Sequence, residues 1–450
     1  MAATSTGSPG APSRDDPRTV FGWCMYDWAN SAYVTTVAVG LLPRYFADGV
    51  VPAGGVVIGG TAFAADTLWA AVVGTATLIA FLTAPVLGAI ADFSAARKRF
   101  LLAFAYTGSL FAILLYFCRS GDVFRTLLFF LLAQVGFIGA NVFYDSFLPH
   151  IASDAQMDRV SGRGYAFGYV GGGVQFALSL CLVHWHAALG LALDHAVRLA
   201  IVMAGLWWAA FTLVTVRLLV EARSETPFPK EFQRWPRPLA YVAIGVTRTL
   251  STTRKLRQYR QLALFLAAFM LYDDGIQTVI NMATIYATVE LHLPATVLML
   301  TLLVIQAIAG VGAFLFSRLA GRIGTKQSVM ISLVLWTGIV VYAGFLRGAA
   351  QFVTLGAVVG LVMGGSQALS RSFYGSIIPR EASAEFYGFY TVFSKFAAMW
   401  GPWMFAIVKH ATGSSRLAIL SLVVQFLGGL LLLSFVDVGK ARAARAERAF

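Results

Sequence analysis

Twelve apolar stretches run almost end to end along this chain of 450 residues. Each approaches or exceeds the roughly 20 residues that a helix needs to cross a bilayer. They fall at about 20–42, 66–91, 100–118, 125–148, 164–189, 197–219, 261–287, 296–319, 328–346, 350–376, 386–409 and 416–436. Stretches so long and so closely spaced leave little sequence for a water-facing surface. Composition agrees: 58% of residues are hydrophobic and 12% charged, where a soluble domain carries about 25% charged. This argues against a soluble enzyme, a disordered chain and a secreted disulfide scaffold. No strand-like alternation of about ten residues recurs, which argues against a β-barrel. The expected fold is an all-α integral membrane protein with twelve transmembrane helices. Cys24, Cys118 and Cys181 lie in or beside apolar stretches and read as small packing groups.

The basic residues set the orientation, because cytoplasmic loops collect Lys and Arg. With the N-terminus inside, 26 of the 34 basic residues fall in cytoplasmic segments and 7 outside, with Lys395 inside a span. The net charge of +13 is thus a topology signal, and nucleic acid is not an expected partner. Both termini are expected in the cytoplasm, with the chain in a bacterial inner or plasma membrane. Residues 1–19 read as a disordered tail, 220–260 as a basic linker broken by Pro227, Pro229, Pro236 and Pro238, and 437–450 as a second tail. The linker's second half, mixing basic and apolar residues, reads as a surface helix. Six-span bundles at 20–219 and 261–436 flank it.

The two bundles echo each other. Ala91 aligns with Ala320 at an offset of 229, and Phe143-Tyr144-Asp145-Ser146 through Pro149 aligns with Phe373-Tyr374-Gly375-Ser376 through Pro379 at 230. A basic turn follows the second span of each half. Gly88 permits a tight turn there, while Asp92 and Arg97 can bond across the halves when the inner side closes. The matching position in the second half is Gly321, so any gate there is weaker.

Ionisable groups in hydrocarbon are costly and suggest function. Asp27, Asp273, Asp274 and Lys395 are the clearest. Helical spacing puts Trp23, Asp27, Asn30 and Ser31 on one face of the first span, and Asp273 or Asp274, Gln277 and Asn281 on one face of the seventh. Such polar groups can also simply glue helices together. Burial disfavours a charged carboxylate and adjacent acids repel, which favours retaining one proton on the Asp273–Asp274 pair. These two therefore rank slightly above Asp27 as proton-coupling residues. Lys395 reads equally as a ligand for a carboxylate and as a snorkelling side chain. Gln367, Ser370 and Arg371 follow Gly364-Gly365 in span ten, and Arg371 aligns with Asn141 near the inner end. Glycine-rich runs lack the Lys-Ser/Thr ending of a nucleotide-binding loop, and His184 and His186 point to differing faces. No cofactor or metal is expected.

Two six-helix halves with a basic turn after the second helix of each resemble the major facilitator superfamily. The Gly88/Asp92/Arg97 turn resembles its cytoplasmic gate signature. Tyr26-Asp27-Trp28-Ala29-Asn30-Ser31-Ala32-Tyr33 resembles the first-span hallmark of one branch, the fungal vacuolar amino-acid effluxer linked to autophagy and its bacterial relatives. So do Phe143 to Pro149, Ser161 to Gly173, Asp274 to Thr278, and Gly364 to Ser372 with Glu385, Phe386 and Gly388. The resemblance implies amino-acid movement across a membrane without fixing the substrate. Asp145 stands where that branch often carries a neutral residue, so the inner end of span four is charged differently.

The expectation is a monomeric, proton-coupled secondary transporter of amino acids or similar small zwitterions, and not an enzyme. Asp27, Asp273 and Asp274 are its proton-coupling candidates. Trp23, Asn30, Ser31, Tyr144, Gln277, Asn281, Gln367, Ser370 and Lys395 are the substrate-binding candidates, and Gly88, Asp92, Arg97, Asp145 and Arg371 the cytoplasmic gate. Two alternatives stand beside it: a drug or metabolite exporter of the same superfamily, and a membrane sensor or membrane-embedded enzyme.

Overall fold

The computed structural model describes residues 14–52, 54–221, 231, 234–256, 259–397 and 400–447. Most of the expected N-terminal tail, with Pro227 and Pro229 of the linker, lies outside the described residues. The first helix, α1 (Pro17–Ala32), begins three residues before the expected span. Asp16 caps it, accepting from the Thr19 backbone at 2.8 Å and from its hydroxyl at 2.7 Å, and Pro17 supplies the preset φ of a first helical turn. α1 runs on into π-helical turns at Tyr33–Leu41, a short α-turn at Leu42–Tyr45 and a further π-turn at Phe46–Val50. Such geometry is rare and often accompanies function.

The longer outer loop of the first half forms a hairpin of β1 (Val56–Ile58) and β2 (Thr61–Phe63), antiparallel, with Ile58 opposite Thr61. Gly59 and Gly60, at φ +59° and +85°, make its two-residue turn. The helices that follow in the first half are α2 (Ala65–Ser94), α3 (Arg97–Leu114), α4 (Val123–Ser146), α5 (Met157–His184) and α6 (Leu193–Leu218). The linker contributes α7 (Arg237–Leu256). The second half contains α8 (Arg260–Val289), α9 (Ala295–Ile323), α10 (Thr325–Ala343), α11 (Ala349–Ile377), α12 (Ser383–Ala397), α13 (Trp400–Thr412), α14 (Ser415–Ser421), α15 (Val423–Ser434) and α16 (Val438–Glu447).

Among the described residues, ten helical stretches are long and apolar enough to cross a membrane. The other two expected spans, one and eleven, are not among these ten. Span one changes helical pitch at Tyr33. In span eleven the described residues form α12 and α13, on either side of residues 398 and 399, which lie outside the described residues; Pro402, in α13, has no backbone N–H to donate.

Each half has its own core. One gathers buried residues from Val20 to Leu219, joined by Ala384; the other runs from Tyr259 to Ala441. The halves meet where α5 lies along α9 and α2 along α12. In the second contact the helices approach so closely that a methyl on Gly88 would overlap the Ala384 backbone. The linker helix α7 packs on α2, where Gly245 meets Ile90 and Arg248 lies over the Phe93 ring at 5.9 Å. The C-terminal residues expected as a tail form α16, docked on α11.

Candidate functional site

Arg371 is the centre of the buried polar structure. It leaves α11 in the second half and enters the first half, where 2% of its side chain remains exposed. Its Nη1 lies 3.0 Å from Asp145 Oδ1 on α4 and 3.5 Å from Asp27 Oδ2 on α1. Nε donates to Ser161 Oγ at 3.0 Å and Nη2 to the Ser161 carbonyl at 2.9 Å, both on α5. Aromatic faces surround the cation, with ring centres at 4.8 Å for Trp23, 5.4 Å for Tyr144 and 4.1 Å for Tyr165. Tyr144 also donates its hydroxyl to Asp27 at 2.8 Å. Gly164 makes room: a Cβ there would lie 2.8 Å from Trp23 and the Tyr144 hydroxyl and 2.9 Å from Arg371.

The sequence reading separated these residues, placing Asp145 and Arg371 in a gate and Asp27 in a proton site. The structure joins them in one cluster, with Arg371 as the cation between the two acids. Trp23 and Tyr144 form its wall, their rings stacked at 4.4 Å, and Trp23 donates to the Tyr144 carbonyl at 2.8 Å. Asn30 donates to Asn141 at 2.7 Å, and Ser31 lies against Gly168.

The second acidic site is distinct. Asp273 accepts from Ser394 at 2.6 Å and lies beside Gln277, with the Lys395 charge acting on it. Neighbouring Asp274 takes the other direction. It accepts the Gly401 backbone N–H of α13 at 2.9 Å and also accepts from Gln425. Asn281, one helical turn beyond Gln277, is exposed. Ser370 is committed to Tyr272 and to the Ser366 carbonyl, both at 2.7 Å. Gln367 receives the Tyr169 hydroxyl from the first half.

At the inner end, Asp92 accepts the Ala384 and Glu385 backbone N–H groups at 3.1 and 2.9 Å, tying α2 to the start of α12. Arg97 does not cross between halves, contrary to expectation: its Nε bonds Asp92 at 2.6 Å within its own half. The five-residue spacing across the turn brings the two side chains together locally. Both oxygens of Glu221, just past α6, accept the Arg97 and Lys98 backbone N–H groups at 2.8 and 3.0 Å. Burial pushes the Glu221 carboxyl above its ordinary value of 4.5. Asp158, which the sequence reading missed, crosses from α5 to accept from Ser372 at 2.5 Å and from Thr325 at 2.7 Å.

The opposite end holds a cavity of about 490 Å³ between the halves. Its wall is chiefly apolar and includes Val34, Val39, Phe176, Ile305, Tyr286 and Met363. None of the expected substrate-binding residues lines it. The polar groups that do include Thr35, on the π-helical stretch, and Gln306, whose amide donates to Thr35 Oγ1 at 2.8 Å across the halves. The signal for Gln306 was a lone amide in the apolar run 298–309; Thr35 gave none, since single hydroxyls are common in spans. Among the described residues, no group of three or more His, Cys, Asp or Glu is placed to hold a metal ion.

A family profile described as "Vacuole effluxer Atg22 like" matches residues 15–446. The chain belongs to the Atg22-like family. An uncharacterised MFS-type transporter of Bacillus subtilis, YxiO, is 32% identical over 92% of this chain and 94% of its own length. Autophagy-related protein 22-1 of Aspergillus niger is 32% identical over 63% of this chain, which spans about half of that longer protein (48%). The Atg22-like chain also shares its fold with solved transporters. The human organic anion transporter MFSD10 aligns with TM-score 0.69 at 15% identity, covering 94% of this chain and 100% of that one. The Escherichia coli fucose:proton symporter FucP gives 0.68 at 12%, over 94% and 98%. This Atg22-like protein is thus a multi-pass membrane transporter of the major facilitator superfamily.

Proposed function

We propose that the protein carries amino acids or similarly small zwitterions across the membrane by alternating access, coupled to protons. The observation that carries this reading is the Asp27–Arg371–Asp145 cluster. It contains two carboxylates and one guanidinium, contributed by opposite halves and largely shielded from water. With both acids ionised it is one positive charge short. A proton on either acid, or the ammonium of a bound substrate, supplies that charge, and the two compete for the same carboxylates. Such competition is the minimum needed for exchange of protons against a zwitterion. Asp273 and Asp274 remain candidates for a second proton site, with Gln277, Gln367 and Lys395 as donors to a substrate carboxylate.

The inner end, tied by Asp92 and Asp158, is closed, and the cavity sits at the other end. This is the arrangement expected of an outward-facing state when the basic loops and both termini face the cytoplasm. A cysteine at position 231 should then react with impermeant reagent only from the cytoplasmic side. The apolar cavity wall suits large apolar side chains. It also favours a second reading, export of amphipathic organic compounds. Purified protein in liposomes separates the two. Labelled amino acids should accumulate under an imposed pH gradient and cease to do so when the gradient is collapsed. Accumulation indifferent to the gradient would refute the coupling; failure of every amino acid to compete would favour the exporter.

A further inference from the structure

At the cytoplasmic end, away from the transport cluster, a recess of about 370 Å³ is lined by Arg14, Asp154, Arg380, Glu381, Arg442 and Arg445. Four guanidiniums therefore face two carboxylates, a local excess of two positive charges. Asp154 accepts from Arg380 at 2.7 Å and from Arg445 at 3.2 Å. Arg445 is further fixed by the Ser376 carbonyl at 2.8 Å. Arg14 and Arg442 make no ion pair among the described residues, and the buried Nε of Arg380 has no hydrogen-bond partner. Burial, then the nearby Arg445 charge, holds the Arg380 guanidinium below its ordinary value. Cations crowded about a recess, two of them unpaired and one incompletely bonded, form an incomplete coordination shell. Planar guanidinium forks match the oxygens of a phosphate bidentately.

We propose that this recess binds a phosphate-bearing anion, either a soluble phosphate or the headgroup of an anionic lipid. Arg14 and Arg442 supply the free charge, Arg380 completes the donor set through Nε, and Asp154 holds Arg380 and Arg445 in place. Arg14 and Asp154 belong to the first half and the other four residues to the second, so a bound anion ties the halves together at their inner ends. That it thereby favours the inner-closed state rests on the alternating-access reading; the binding itself does not.

The test uses the full chain and the double variant Arg14→Gln/Arg442→Gln, which removes the two unpaired cations and leaves the Asp154 pairs intact. Inorganic pyrophosphate is titrated calorimetrically into protein in neutral detergent. Separately, melting is followed in phosphatidylcholine vesicles with and without phosphatidylglycerol. If the ligand is a soluble phosphate, pyrophosphate binds in a salt-sensitive manner and the double variant binds about tenfold more weakly. If it is a headgroup, pyrophosphate has little effect, phosphatidylglycerol raises the melting temperature, and the double variant loses that rise. Arg442→Lys, which keeps charge without the fork, should retain part of either response. No response in either arm, or a double variant that responds like the parent, overturns the proposal. Transport in neutral vesicles should be unchanged in the double variant, so failure here is distinguishable from failure of the transport reading.

Discussion

The two halves descend along similar sequence patterns yet divide their charges unequally. In the first, Tyr144 gives its hydroxyl to the carboxylate of Asp27. In the second, the aligned Tyr374 gives its own to the Phe386 carbonyl at 2.7 Å. Asn141 of the first half bonds a neutral asparagine, whereas Arg371, at the aligned position, crosses into the other half. Asp145 aligns with Gly375. The first half thus supplies two acids and the second the single cation between them. The turns after the second helices diverge too. Both reverse through a positive φ, at Ala95 (+44°) and at Gly324 (+94°). Asp92 ties the first to α12, but Gly321 in the second has no side chain to offer. There the acid comes instead from Asp158 of the first half. Duplication accounts for the common scaffold, and the charge asymmetry makes the interface between the copies electrostatically complementary.

The largest effect should come from removing the one cation. Arg371→Gln leaves two buried carboxylates unpaired and should cost about 3–5 kcal/mol, seen as a lower melting temperature, with transport lost. The aligned Asn141→Ala should cost far less, about 1 kcal/mol. Equal losses would break the comparison. Asp145→Asn added to Arg371→Gln should restore part of the stability.

Next comes coupling. Asp27→Asn keeps the shape of the cluster and leaves a neutral Arg371–Asp145 pair, so folding should hold. Accumulation driven by a pH gradient should disappear, while substrate exchange at equal concentrations persists. Asp273→Asn should be milder, because Ser394 can still bond the amide oxygen. If Asp273→Asn alone abolishes accumulation, the coupling proton lies in the second half.

Packing gives an intermediate effect. Gly88→Ala pushes a methyl into the Ala384 backbone, an overpacking of about 1–3 kcal/mol that should open the inner side and slow turnover. Gly321→Ala, facing open space, should be silent. A cysteine accessibility assay from the cytoplasmic side reads both.

The smallest effect concerns the start of α3. Its first N–H groups have Glu221, whereas α10 has no side-chain cap. Since burial raises the Glu221 carboxyl, the folded state binds its proton more tightly than the unfolded chain. The stabilisation from that proton is complete below 4.5 and is lost as pH rises through the folded value. Glu221→Gln should flatten melting temperature over that window and change it little elsewhere. An unaltered pH profile would remove Glu221 from the account.

Much of the scaffold was legible in the chain, because bilayer thickness converts directly into helix length and the repeat exposes the two halves. Asp27, Asp92, Asp145 and Arg371 were all recognisable as costly residues in or beside apolar spans. Their partnerships were not. Asp27 and Arg371 are 344 positions apart, and no local period relates them. α1 starts three residues before the apolar run, where Asp16 supplies the cap and Pro17 the first turn.

The sequence by itself determined that this protein lives in a bilayer, that its helices form two related sets, and which few ionisable groups must be buried. Those are consequences of local composition and of spacing along one chain. The tertiary structure alone decided that the sole guanidinium of the cluster neutralises acids in the opposite half, that Asp274 accepts the Gly401 backbone N–H, and that the inner end is shut while a largely apolar cavity remains at the other. Each of these depends on where helices distant in sequence touch. Desolvation makes every such charge seek a partner, but which partner it finds is settled by packing.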